Sequence, residues 1–171
     1  MERTPKRFIN MRAQSKRGSS QNKLRNTLYK KGIERVKQAI SAGYYIEAIM
    51  ILESMITDRV VSVIEVLHKD DDTSWKINSF GSTVYALNKL TYDLNCRTAE
   101  NEDLIKSLRQ WKSLRNTAAH QFVFVQHNRF GQYDDLPKRY HTMKKTAQQG
   151  VHLMRAVDRL TRNMKETISN R

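Results

Sequence analysis

The residue types in this 171-residue chain best suited to chemistry stand together in Arg115-Asn116-Thr117-Ala118-Ala119-His120. An imidazole with a pKa near neutrality can take a proton from a ribose 2′-hydroxyl or return one to a leaving 5′-oxygen. A guanidinium can hold the scissile phosphate and its growing charge, and neither role needs a metal. Asn116 could orient His120 or contact a phosphate oxygen. The chemistry that fits this set is cleavage of an RNA backbone. The plain alternative is an arginine and a histidine at a helix end, where cations are welcome, and spacing alone favours that alternative.

At about 100° per residue, Asn116 and His120 are i,i+4 neighbours on one helix face, whereas Arg115 and His120 are separated by roughly 140°. One straight helix does not press the two together. Three arrangements would complete a site: the helix ends before His120, the long Arg115 side chain arches across, or a second copy brings its own motif across a twofold axis.

Helical spacing dominates the segments that must position these residues. Leu28, Ile33, Val36 and Ile40 predict a modest helix over 24–40, interrupted by Gly32. The longest apolar helix is expected from Tyr44 to His68, with Ile46, Ile49, Met50, Ile56, Val60, Val63, Ile64 and Leu67 in a stripe wide enough for several neighbours. A shorter helix from Ser82, its cap, to Leu94 would bury Val84, Leu87, Leu90 and Leu94. The helix that carries the motif is expected to begin near Asn101 and to turn Leu104, Leu108, Trp111 and Leu114 inward. Gln121 to Val125 is β-prone, and Asn128, Gly131, Asp134 and Pro137 mark a connection. A final helix over 138–168 would bury Met143, Ala147, Val151, Met154, Val157 and Leu160. The sum is an all-α fold, an up-and-down bundle of four to five helices.

Charge points to the partner. The chain carries 31 Lys and Arg against 17 Asp and Glu, a net charge of +14, which favours a polyanion. Residues 1–31 hold ten of those cations against Glu2 alone. Residues 1–26 therefore read as a flexible basic arm ahead of a helical domain over 27–171, with Lys6, Arg7, Arg12, Lys16 and Arg17 placed to grip RNA phosphates. Lys144 and Lys145 of the last helix are further RNA-binding candidates within its basic series, which also includes Arg155, Arg159 and Arg162. A solvated face or a solubilising tail would have the same composition.

Glu53 falls within the apolar stripe of the long helix. A carboxylate there wants a cation, and Arg115, Arg59 and Arg109 are the candidates. His68, His127, His141 and His152 have no metal-ligand spacing, Asp70-Asp71-Asp72 reads as a solvated turn, and no metal or cofactor is expected. The single Cys96 cannot form an internal disulfide and suits a reducing cytoplasm. Acidic residues interrupt the most apolar stretch, so no membrane span is expected.

Arg115 with Asn116 directly after it and His120 beyond four intervening residues, late in an amphipathic helix of a basic all-helical domain, resembles the HEPN superfamily of helical ribonucleases and toxins. The resemblance spans roughly residues 24–168 in helix order, but only the motif is specific. It implies a metal-independent endoribonuclease that acts on single-stranded or loop RNA as a homodimer with a composite site. The implied setting is toxin–antitoxin or antiviral defence, with an antitoxin or a larger defence complex as partner. Members silenced by nucleotidyl transfer carry a tyrosine two residues after the histidine, where this chain has Phe122, which has no hydroxyl to modify. The alternative function is a non-catalytic basic helical RNA- or DNA-binding protein, or a scaffold that keeps the fold without the chemistry.

Overall fold

Among the described residues, apolar residues recurring every three to four positions form five helices: α1 (Arg7–Ala42), α2 (Tyr45–Leu67), α3 (Phe80–Asp93), α4 (Ala99–Gln121) and α5 (Leu136–Ser169). The computed structural model describes residues 7–68, 77–121 and 136–170, with side chains described at 23–68, 77–119 and 136–170. The fold is an all-α bundle, and among the described residues there is no strand. Each helix packs against the next in sequence, and α5 lies across both α2 and α4. The segment read as β-prone beyond Gln121, Phe122 included, lies outside the described residues, as do Lys6 and Asp70 to Asp72.

Short-range chemistry sets the helix ends. Gly43, at φ +82, closes α1 in the left-handed conformation, and Tyr44 N–H donates back to Ala39 O at 2.7 Å. Asn95, at φ 57, does the same after α3, with Cys96 N–H donating to Thr91 O at 2.9 Å. Ser79, not Ser82, caps α3. Ser82 is the third helical residue and completes a reciprocal capping box, its hydroxyl accepting from Ser79 N–H at 3.0 Å. α4 begins at Ala99, ahead of the expected Asn101, because Thr98 Oγ1 accepts from Asn101 N–H at 3.3 Å and so occupies the cap position. Pro137 sits in the first turn of α5, where its missing N–H is harmless, and not in the preceding connection.

The helix α1 is much longer than the apolar pattern of 24–40 requires. From Arg7 onward the stretch expected as an arm is helical backbone continuous with the packed segment. A helix already nucleated extends by one hydrogen bond per residue added, so little apolar content is needed to carry it outward. Arg7, Arg12, Lys16 and Arg17 are on this helix, and their side chains are not among those described. Arg25 belongs to the folded body, since its guanidinium reaches Asp58 Oδ1 at 3.2 Å and Glu65 Oε2 at 2.7 Å on α2. The bond to Glu65 raises its pKa.

The core is built on α2. Leu52, Ile56, Val60 and Val63 are fully enclosed and meet Leu87 and Leu90 of α3, Leu108 and Trp111 of α4, and Met154, Val157 and Met164 of α5. Among the described residues, Trp111 is the largest buried side chain. Its indole N–H donates to Thr146 O at 2.8 Å, and its ring stacks edge-on against Phe80 with centroids 5.2 Å apart. Gly150 lets α5 approach this ring: a Cβ there would lie 2.8 Å from Trp111 Cζ2 and 3.0 Å from Leu52 Cδ1. Three positions of the expected apolar faces are outside: Leu28 is 58% exposed, Met50 64% and Leu114 37%, while Ile105 of α4, which the expected face did not include, is buried. Val151 is half-buried.

A second feature, absent from the sequence reading, is a polar junction among α1, α2 and α5. Arg59 Nε lies 2.9 Å from Asp158 Oδ1, an ion pair by distance that is too poorly aligned to be a hydrogen bond, and Arg162 pairs with the other carboxylate oxygen. The Arg59 guanidinium also stacks 3.9 Å from the centre of the Tyr29 ring. Lys165 Nζ donates to Ser62 Oγ at 2.7 Å nearby. Burial lowers the Lys165 pKa, with Arg59 and Arg25 adding repulsion, and burial raises that of Tyr29.

Candidate active site

Glu53 is on α2 and Arg115 on α4, and the bundle brings them into direct contact. Arg115 Nε donates to Glu53 Oε2 at 2.6 Å while Nη2 donates to Glu53 Oε1, a two-point pairing of guanidinium with carboxylate. Arg115 Nη1 donates to Asn116 Oδ1 at 2.6 Å. Of the three cations that could answer Glu53, the structure selects Arg115. Arg59 is committed to Asp158, and Arg109 is exposed. The pair is not deeply buried, the side chains keeping 23% and 22% of their exposure. Glu53 therefore stands at the edge of the apolar stripe and not within it.

Position explains this pairing. Ala118 is buried one turn beyond Leu114, so the core-facing side of α4 passes through Trp111, Arg115 and Ala118 at three- and four-residue steps. Leu114 is thereby rotated toward solvent and Arg115 toward α2. Among the described residues, three of the five N–H groups of the guanidinium are engaged and two have no acceptor there.

The pair lies on a groove of about 650 Å³ between α2, the start of α3 and the end of α4. Ile46, Met50, Val61 and Ile77 give it apolar walls, and Ser54, Thr57, Asp58 and Ser79 add polar groups. The exposure of Met50, unexpected for a core residue, follows from its place on this open face of α2. Ala119 also lines the groove, so the motif helix presents its small residues there.

His120 is on α4, which runs unbroken to Gln121. A helix break ahead of His120 is thus ruled out as the way to unite the motif. The His120 side chain is not among those described. Lys144 and Lys145 are exposed on α5, as are Arg155, Arg159 and Arg162. Among the described residues, no three of His, Cys, Asp and Glu gather as metal ligands, and no helix is long and apolar enough to cross a membrane.

Comparison with models of known families, with curated proteins and with solved structures finds no match.

Proposed function

We propose that this chain is a HEPN-type, metal-independent endoribonuclease acting as a homodimer. The observation that supports this reading is the Glu53-clamped Arg115 guanidinium at a groove, with two of its donors unengaged among the described residues and Asn116 beside it. In the proposed reaction the ribose 2′-oxygen attacks phosphorus, forming the P–O2′ bond as the P–O5′ bond breaks. One imidazole, that of His120, accepts the 2′-hydroxyl proton, and the departing 5′-oxygen is protonated by an acid in the same cleft. The products are a 2′,3′-cyclic phosphate and a 5′-hydroxyl. Arg115 steadies the equatorial oxygens as charge builds.

The unbroken course of α4 favours a composite site. With Arg115 and His120 about 140° apart on a straight helix, the natural complement to one copy's Arg115 is His120 of the partner subunit. The exposed Met50 and the half-buried Ile46 beside it on the groove offer apolar surface for such pairing. A mixing experiment tests this. Arg115→Ala and His120→Ala are each inactive, and re-associating them in equal amounts restores about a quarter of wild-type activity, because half the dimers then carry one intact composite site. No recovery despite subunit exchange contradicts a shared site. Toxin–antitoxin or antiviral defence is the setting that goes with this reading.

One observation favours a second reading. Glu53 neutralises Arg115, so the pair by itself adds no net positive charge to attract a phosphate, as suits a non-catalytic RNA- or DNA-binding protein or scaffold. That reading predicts salt-sensitive nucleic-acid binding that survives His120→Ala and yields no product.

A further inference from the structure

The α3–α4 hairpin leads away from the groove, and its composition changes along its length. Leu94 to Thr98 reverses the chain between the helices, so the start of α3 lies beside the later half of α4. The close approach is direct: a Cβ at Gly81 would come within 2.9 Å of Lys112 Nζ. From Phe80 to Lys89 and from Lys106 to Arg115 there is no acidic residue, whereas Lys89, Lys106, Arg109, Lys112 and Arg115 are all basic. The acids of the hairpin, Asp93, Glu100, Glu102 and Asp103, are confined to the end near the turn. Lys89, Lys106, Arg109 and Lys112 are exposed.

Tyr85 stands in the middle of this acid-free half and is 69% exposed. It is one helical turn from Gly81 on the same face of α3, and so on the side of the helix where Lys112 crosses over. On α4, Arg109 is one turn before Lys112 and rotated about 60° from it, while the neighbouring Leu108 is buried. Arg109 is thus turned to the solvent edge of the same seam. Ser79 and Phe80, at the other end of the seam, line the Arg115 groove. Tyr92 differs from Tyr85, for its ring is covered by Arg97 at 4.4 Å, which in turn pairs with Glu102.

We infer that the groove-proximal half of the α3–α4 hairpin is a track for single-stranded RNA, in which a base stacks on Tyr85 while Lys112 and Arg109 hold the flanking phosphates, leading the strand into the Arg115 groove. A half-hairpin of one charge sign complements a polyanion, and an exposed ring between cations is what an unpaired base needs and a duplex does not use. Gly81, which has no side chain, gives the Lys112 ammonium room between Tyr85 and the groove. The inference rests on the reading that the groove handles RNA, but it concerns binding and stands or falls separately from cleavage.

The test uses the full chain with His120→Ala, so that RNA is not consumed, and measures fluorescence anisotropy with a labelled 12-nucleotide uridine RNA and with a blunt RNA duplex. Tyr85→Ala is expected to weaken single-strand binding about tenfold, and Tyr85→Phe to retain it, since the ring and not the hydroxyl makes the stack. Lys112→Gln should lower the slope of log affinity against log salt by about 0.7, the contribution of one phosphate contact on a single strand. Unchanged binding in Tyr85→Ala, equal loss in Tyr85→Ala and Tyr85→Phe, tighter binding of the duplex, or a Tyr85→Ala effect on self-association and not on RNA would each overturn the track. Should the wild-type chain cleave nothing while these binding results hold, the nuclease reading fails and the track remains.

Discussion

Arg115 of α4 and Glu53 of α2 are joined by a two-point ion pair at the rim of a groove, so the guanidinium that begins the Arg115 to His120 motif is aimed by a neighbouring helix as well as by Asn116 of its own. A carboxylate that grips Nε and Nη2 leaves Arg115 little freedom to rotate. It also leaves the outer N–H groups in a fixed direction.

In the proposed mechanism Glu53 is therefore a positioning residue. Glu53→Gln is expected to lower kcat by roughly ten- to a hundredfold with a much smaller change in KM, because the phosphate still binds but Arg115 is no longer held in register. Glu53→Asp should recover part of that loss. Steady-state kinetics on a short single-stranded RNA separates the two parameters, and a purely structural role would show equal kcat in all folded variants.

Asp158 is the most enclosed carboxylate of the polar junction, with 8% of its side chain exposed, and it faces both Arg59 and Arg162. Removing it strands a nearly buried guanidinium. Asp158→Ala is expected to destabilise the fold by about 3 kcal/mol, the usual scale for breaking a buried pair from one side. At this chain length that lowers Tm by roughly 6–12 °C, which differential scanning calorimetry would register.

The same junction makes stability depend on alkaline pH. The folded-state pKa of Lys165 lies below the ordinary lysine value of 10.5, so just below 10.5 the unfolded chain binds more protons and stability rises with pH. The cost of burying the ammonium is full below the folded-state pKa and gone above 10.5. Tyr29 acts oppositely: its pKa is raised above 10.0, so its contribution is present below 10.0 and lost as pH climbs through the folded value. Urea melts across pH 8 to 11 should show Lys165→Gln losing the rising component and Tyr29→Phe losing the falling one.

Gly150→Ala pits two effects against each other. Alanine gains up to about 1 kcal/mol of helix propensity. The added Cβ, 2.8 Å from Trp111 Cζ2 and 3.0 Å from Leu52 Cδ1, meets enclosed side chains that have nowhere to shift. Overpacking of this kind costs about 1–3 kcal/mol, so the variant should be less stable than the parent on denaturant unfolding.

Much of this architecture is legible in the spacing of apolar residues. Ile49, Ile56, Val60 and Val63 mark the inner face of α2, and Met143, Ala147, Met154 and Val157 mark that of α5, because a helix with one strongly apolar side has only one way to turn. Met50 and Leu114 depart from this pattern for a related reason. Each is apolar at a position compatible with the stripe, and only the arrival of neighbouring helices decides which edge of a wide stripe stays open. The start of α3 depends on a serine serving as the third residue of a capping box, a place more often filled by Glu or Gln. Glu53 could be marked as a carboxylate in need of a cation, but three arginines were equivalent in sequence. Choosing Arg115 required the crossing of α2 and α4, a long-range relation that periodicity does not carry. Asp158 had a fainter signal, at i+4 from Met154 next to Val157, the spacing of a core position.

The central claim is tested most directly by the ends of the RNA products. A 5′-labelled single-stranded RNA incubated with the wild-type chain in excess EDTA is expected to yield fragments ending in 2′,3′-cyclic phosphate, and to stay intact with folded Arg115→Ala or His120→Ala. Fragments that appear equally with both variants, or an RNA left whole by the wild-type chain, would contradict it.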